Sequence, residues 1–263
     1  MIVVSLGAGV QSTAMLLMAL AGDLLPRPDV AIFADTGWEP KAVYAHLDWL
    51  SEYSASQGVE VVRVSKGNLR DDLLESAGGK RFASIPFHLR VPNGRGTSWT
   101  HGMARRQCTH EYKLRPLQRK VKELGATRKA PAEVWLGIST DEIGRAKPSR
   151  VLYAVHRFPL IEAGLSRLDC MAWLTAHGFS VPPKSACVGC PFHDNKAWAG
   201  LMADPETRQD AIEVDNALRE MPRFKDNAYL HRSLKPIAEI DFAEQPDRQI
   251  DLFENECEGM CGV

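Results

Sequence analysis

The sequence has no long hydrophobic run, no excess of either charge and few aromatic residues. Its longest strongly apolar stretch, Ala14 to Ala21, is eight residues, far short of the roughly 20 that a membrane-spanning helix needs. Thirty-two Lys and Arg stand against 33 Asp and Glu in 263 residues. That balance excludes a globally basic, nucleic-acid-coating chain. With 44% hydrophobic residues, a disordered or collagen-like chain is excluded as well. The N-terminus lacks a basic segment, and Gln11, Ser12 and Thr13 interrupt its apolar stretch, so no secretory signal is read there and the protein is expected in the cytoplasm, with no membrane partner. Six cysteines in such a reducing compartment point to ligands, nucleophiles or buried thiols rather than structural disulfides. Neither the dinucleotide fingerprint GxGxxG nor the GxxxxGK(S/T) loop of nucleotide triphosphatases is present.

What is present is a repeated strand, turn and helix plan. Ile2 to Leu6 is a short β-rich run, followed by the turn Gly7-Ala8-Gly9 and a helical pattern from Ser12 through Ala21. Val30 to Ala34, the turn Asp35-Thr36-Gly37 and a helix from about Glu39 to Ser56 repeat it. Further strands are predicted at Val59 to Val64, Glu133 to Ile138 and near Arg157 to Leu160. Strands separated by helices imply a doubly wound parallel sheet of about five strands in an α/β fold, because each crossover must return right-handed across the sheet. Length suggests one large domain or one domain with an appendage. The predicted division is an α/β domain over residues 1–180, carrying an insertion at 65–132, and a cysteine-containing helical extension with an acidic tail over 181–263. Gly78, Gly79, Pro86, Pro92, Gly94 and Gly96 mark the first half of the insertion as a mobile loop. Trp198, Leu201, Met202, Ile212, Val214 and Leu218 are core candidates of the extension.

A glycine turn between a buried strand and a helix directs backbone N–H groups outward at the positive end of the helix dipole, which suits an anion. Gly7, Gly9, Gln11, Ser12 and Thr13 line that position, although tight packing of strand on helix explains the glycines equally well. Charge is segregated locally. Residues 101–130 hold nine basic side chains (Arg105, Arg106, Lys113, Arg115, Arg119, Lys120, Lys122, Arg128, Lys129) and two acids, whereas 239–258 hold eight acids and one base. Tetrahedral oxyanions are matched by guanidinium and ammonium donors, for which Arg105, Arg106, Lys113, Arg145, Lys147 and Arg150 are the candidates. Arg119, Lys120, Lys122, Arg128 and Lys129 read as solvated charges, His101 and His110 as flanking the basic segment, and His46 and His177 as structural.

Cys187-Val188-Gly189-Cys190 is a CxxC between Pro182-Pro183 and Pro191. Two thiolates so spaced can hold part of a metal site, with Cys108 as the third. A redox pair, or half a zinc site completed by His193 or His110, fits the spacing as well. Cys170, among Leu165, Leu168, Met171 and Trp173, reads as a buried thiol.

The segment from Ser5 to Thr13 resembles the PP-loop of adenine-nucleotide alpha hydrolases. Phe33-Ala34-Asp35-Thr36-Gly37 with Glu39-Pro40 is similar to the second-strand motif of phosphoadenylyl-sulfate reductases. The superfamily's ATP pyrophosphatases carry SGGxDS; Gln11 stands at the aspartate position, closer to the sulfonucleotide-reductase variant. The resemblance implies a PP-loop fold that binds an adenine nucleotide through Ser5, Gly7, Gly9, Gln11, Ser12, Thr13, Asp35, Thr36, Gly37 and Gly137. It implies a 4Fe–4S cluster on Cys108, Cys187 and Cys190, with Gln107 where adenylyl-sulfate reductases have another cysteine, and zinc as the alternative metal. The family's mobile Glu-Cys-Gly terminus implies Cys257 or Cys261 as nucleophile, activated when the acidic tail docks on the basic segment. Gly137 to Asp141 with Arg145 and Arg150, and Pro159-Leu160 with Asp169 and Trp173, echo further family segments.

Three functions follow as expectations. One is a sulfonucleotide reductase-like enzyme acting on phosphoadenylyl or adenylyl sulfate with a thioredoxin-like reductant. Another is an ATP-dependent sulfur transferase, using Mg²⁺ with the ATP, that thiolates a nucleobase in tRNA, DNA or a small molecule with a three-cysteine 4Fe–4S cluster. The third is a zinc-stabilised nucleic-acid-binding protein without catalysis.

Overall fold

The computed structural model describes residues 1–77, 85–93, 98–222, 224 and 227–242. Five parallel strands form the main sheet in the order β3-β2-β1-β6-β7: β1 Ile2–Leu6, β2 Val30–Asp35, β3 Glu60–Ser65, β6 Ala132–Leu136 and β7 Ala154–Arg157. Helix α1 (Val10–Ala21) connects β1 to β2, and α2 (Lys41–Ser56) connects β2 to β3. Alternate residues of the strands face opposite ways, as a period of two requires. Val4, Leu6, Ala31, Phe33 and Trp135 share one core with α1, α2 and Leu174 of α6 (Arg167–Ala176). Val3, Val30, Ile32, Val134 and Leu136 share another with Leu117 and Val121 of α4 (Arg115–Glu123). Helices therefore cover both faces, and the doubly wound α/β fold is formed. Among the described residues no helix is long and apolar enough to cross a membrane.

The last strand lies earlier than its predicted place at 157–160. Pro159 opens the short helix α5 (Pro159–Glu162), where its fixed φ suits the first helical position and its missing N–H is not needed. Pro116 likewise sits in the first turn of α4.

The insertion departs from the predicted loop. It contains α3 (Leu69–Ala77) and an antiparallel hairpin of β4 (His88–Pro92) and β5 (Trp99–Met103), with β8 (Ala228–Tyr229) paired on β4. Glycine and proline density misled here because β4 is held largely by residues outside the segment, by β8 and by a core in which Trp38, Val188, Trp198, Val214 and Leu218 join the segment's own Leu69, Phe87 and Tyr112. That core also takes in α7 (Asn195–Ala203) and α8 (Pro205–Glu220), whose N-termini are capped by the carboxylates of Asp194 and Asp204. Inside it, buried Asp215 accepts the backbone N–H groups of Leu230 and Ile237, both at 2.8 Å, and pairs with Arg219.

Candidate active site

Strand order reverses between β1 and β6, since the chain runs from β1 outward through β2 and β3 and returns to add β6 and β7 on the other side. Ligands of open α/β sheets bind outside the carboxyl ends of the strands at such a point. Ser5 is buried there, paired with Ile32 of β2 and Leu136 of β6. After β1, Ala8 takes a left-handed φ of 60° and Gly9 opens α1 without any side-chain cap, so the first-turn amides of α1 face the crevice. The Ser12 hydroxyl folds back, accepting from the Gly7 N–H at 3.2 Å and donating to the Gly9 carbonyl at 3.4 Å. Gly137, just past β6, approaches α1 so closely that a Cβ there would stand 2.8 Å from the Ser12 backbone.

Gln11 is buried and ties three segments together. Its amide nitrogen is 3.4 Å from the Ser139 hydroxyl and 3.3 Å from a Glu142 carboxylate oxygen, and its carbonyl oxygen accepts from Arg167 at 3.1 Å. Glu142 pairs with Arg145, and Asp141 accepts from the Arg167 backbone N–H and the Ser139 hydroxyl. Arg167 was not among the sequence candidates. Its signal was the spacing Ser166-x-x-Asp169, which forms a capping box and sets Arg167 at the first position of α6. Thr13 contacts His46 at 3.1 Å, and burial lowers the His46 pKa to about 4.

The second-strand turn is equally ordered. Asp35 accepts from the Gly37 N–H at 2.7 Å and the Tyr44 hydroxyl at 2.8 Å; burial, then that hydrogen bond, raise the Tyr44 pKa. Gly37 has a φ of 71°, and a Cβ on it would stand 3.0 Å from Asn68 Cα, so two constraints select glycine. Thr36 is buried, with its hydroxyl donating to Glu39 Oε1 at 3.1 Å.

The cysteine loop is fastened to both turns. Ser185 donates to the Gly7 carbonyl, and the Val188 N–H to the Trp38 carbonyl at 2.9 Å. Gly189 lies against the Trp38 indole, where a Cβ would stand 2.1 Å from the ring. The Cys187 sulfur is 3.2 Å from the Thr36 hydroxyl and donates to Glu39 Oε1 at 3.3 Å. The Lys113 ammonium is 3.5 Å from the same oxygen, and both charged side chains are almost wholly buried. Glu39 Oε2 is buried without a hydrogen-bond partner. Lys113 reaches this position from a π-helical turn over Thr109–Leu114, with Cys108 immediately before it. His193 is buried and holds the loop from within: its Nε2 donates to the Cys187 carbonyl at 2.9 Å, and burial lowers its pKa to about 4, so the ring is neutral at pH 7.

Other candidates lie further out. Arg105, Arg106, Lys147 and Arg150 are exposed, and Arg106 reaches over the Phe192 ring at 5.4 Å. His101 bonds His88 at 2.8 Å, and His88 in turn meets the Pro191 carbonyl at 3.4 Å. Cys170 is fully buried in the first core. Cys257 and Cys261 lie outside the described residues. The resemblance implied that Cys108, Cys187 and Cys190 converge on one metal centre. Among the described residues, no group of three or more His, Cys, Asp or Glu side chains is placed to hold a metal ion.

No protein-family model matches the chain, and no curated protein matches it. Among solved structures it is similar to phosphoadenylyl-sulfate (PAPS) reductase from Candida auris, in a phosphate complex. That similarity has 14% identity and a TM-score of 0.45, over 69% of this chain and 74% of that one.

Proposed function

We propose that this chain is a sulfonucleotide reductase-like enzyme, which binds an adenine nucleotide at the β1/β6 crevice and carries out thiol-dependent sulfur chemistry beside it. The observation that carries the proposal is the position of Cys187. Its sulfur lies against Thr36 at the end of β2, on a loop bonded to the Gly7 carbonyl at the end of β1. A thiol and an anion cradle then share one crevice, and holding two reactants in fixed geometry supplies much of the advantage of such a site. Gln11 and Arg167 would donate to the nucleotide's phosphate oxygens, with the α1 amides below them. Phosphoadenylyl or adenylyl sulfate is the proposed substrate and a thioredoxin-like protein the proposed reductant. The test is sulfite release from either nucleotide with excess dithiol present; no sulfite from either one overturns the proposal.

One observation favours a second reading. Glu142 and Asp141 place carboxylates beside Gln11 in the crevice, where they could hold Mg²⁺ on a triphosphate. That arrangement suits ATP-dependent sulfur transfer to a nucleobase. Pyrophosphate release from ATP that depends on added tRNA or DNA would identify it.

A further inference from the structure

We propose that Cys187 and Cys190 form a dithiol–disulfide redox centre. The inference rests on the proposed function for its oxidant but on geometry for the centre itself. The Cys190 N–H bonds the Cys187 carbonyl at 2.9 Å. An i to i+3 bond of this kind closes a β-turn, which keeps the two Cα atoms within about 7 Å; a disulfide needs about 4.4–6.8 Å. Three fixtures hold the turn: the Trp38 indole under Gly189, the Val188 bond to Trp38 and the His193 bond to the Cys187 carbonyl. Both cysteines remain partly exposed, so an oxidant can reach them.

The Cys187 thiol donates to Glu39 Oε1 at 3.3 Å, and the Lys113 ammonium lies 3.5 Å from the same oxygen, so the first sulfur of the pair has a fixed position.

The chemistry balances with a sulfonucleotide as oxidant. The Cys187 thiolate attacks the sulfur, the sulfur–oxygen bond to the phosphate breaks, and the adenosine phosphate leaves with that oxygen. Cys187 then carries a sulfonate. The Cys190 thiolate attacks the Cys187 sulfur, sulfite departs, and a disulfide remains. Sulfur(VI) has gained the two electrons that the two thiols lost, and both thiol protons have gone to solvent. An external dithiol restores both thiols.

The full-length protein is equilibrated across reduced and oxidised glutathione mixtures, alkylated and mapped by peptide mass spectrometry. A bond between Cys187 and Cys190 is expected, while Cys170 stays alkylated only after unfolding. The inference is overturned if both thiols stay reduced in the most oxidising mixture, if either pairs instead with Cys108, Cys257 or Cys261, or if the purified protein holds stoichiometric iron or zinc that blocks their alkylation. Pre-reduced protein given adenylyl sulfate without reductant should release about one sulfite per chain as these two thiols are lost. Sulfite released with excess dithiol while Cys187 and Cys190 stay reduced overturns this inference alone. No sulfite under any condition overturns the proposed function, and the glutathione result still decides the redox pair.

Discussion

Arg167 donates to the carboxamide oxygen of Gln11 at 3.1 Å, joining residues 156 apart in the chain. The pair bridges the start of α1 and the start of α6 across the crevice, so a cation stands beside a neutral amide where an anion would bind. A hydrogen bond to a charged group contributes about 1.5–3 kcal/mol. Arg167→Ala should therefore weaken adenylyl sulfate or AMP binding by about 10- to 100-fold, read by isothermal titration. Arg167→Lys should recover only part of it, because the forked donor is lost. Unchanged affinity in Arg167→Ala would remove Arg167 from the site.

Gly137→Ala tests the crevice from the β6 side. The added methyl would stand 2.8 Å from the Ser12 backbone nitrogen and Cα, and backbone cannot rotate out of the way as a side chain can. Overpacking of this kind costs about 1–3 kcal/mol. The expected outcome is a lower urea midpoint together with weakened nucleotide binding, since the displaced atoms belong to the proposed anion cradle. Loss of stability with full binding would separate the two effects and count against the placement of the cradle.

The sheet and both turns were legible because β-branched runs followed by glycine carry a local signal. The first two strands, at 2–6 and 30–35, lie within a residue of their predicted places. The insertion was not legible, since β4 pairs with β8, whose Tyr229 lies opposite His88 but 141 residues later in the chain. The site divided in the same way. Gln11, Thr36 and Cys187 stood out from their motifs, whereas the use of Lys113 did not. It was expected on a substrate anion, and its ammonium lies 3.5 Å from Glu39 Oε1. Arg167 escaped for a related reason: nothing local links residue 167 to residue 11, and only the folded chain brings α6 over the mouth of α1.

Asp215 anchors the second core. Its carboxylate, 1% exposed, satisfies two backbone N–H groups and Arg219 at once. Asp215→Ala leaves all three donors without their acceptor, and breaking a buried pair costs about 3–5 kcal/mol. Asp215→Asn keeps one acceptor oxygen and should cost less. Urea unfolding of the two variants should rank them in that order, with β8 and the segment at 236–240 losing hydrogen-exchange protection first. Equal stabilities would mean that the acceptor oxygen kept by Asn satisfies none of these donors.

Acid should destabilise the protein through its buried histidines. His193, His88 and His46 all have pKa values lowered by burial from 6.5 to about 4. Between those values the unfolded chain holds protons that the folded one refuses, so stability rises with pH across the window. The folded state is unpenalised above pH 6.5 and loses stability as pH falls toward 4, by up to about 3 kcal/mol for His193, the most deeply buried. The direction is opposite to that of a histidine paired with a carboxylate. Urea midpoints measured at pH 7.5, 6 and 5 should fall in that order. His193→Gln, which keeps a donor for the Cys187 carbonyl, should flatten the slope while lowering stability at pH 7.5 only modestly. If that variant keeps the wild-type slope, His193 is protonated in the folded protein, and the cysteine loop is not held by a neutral ring.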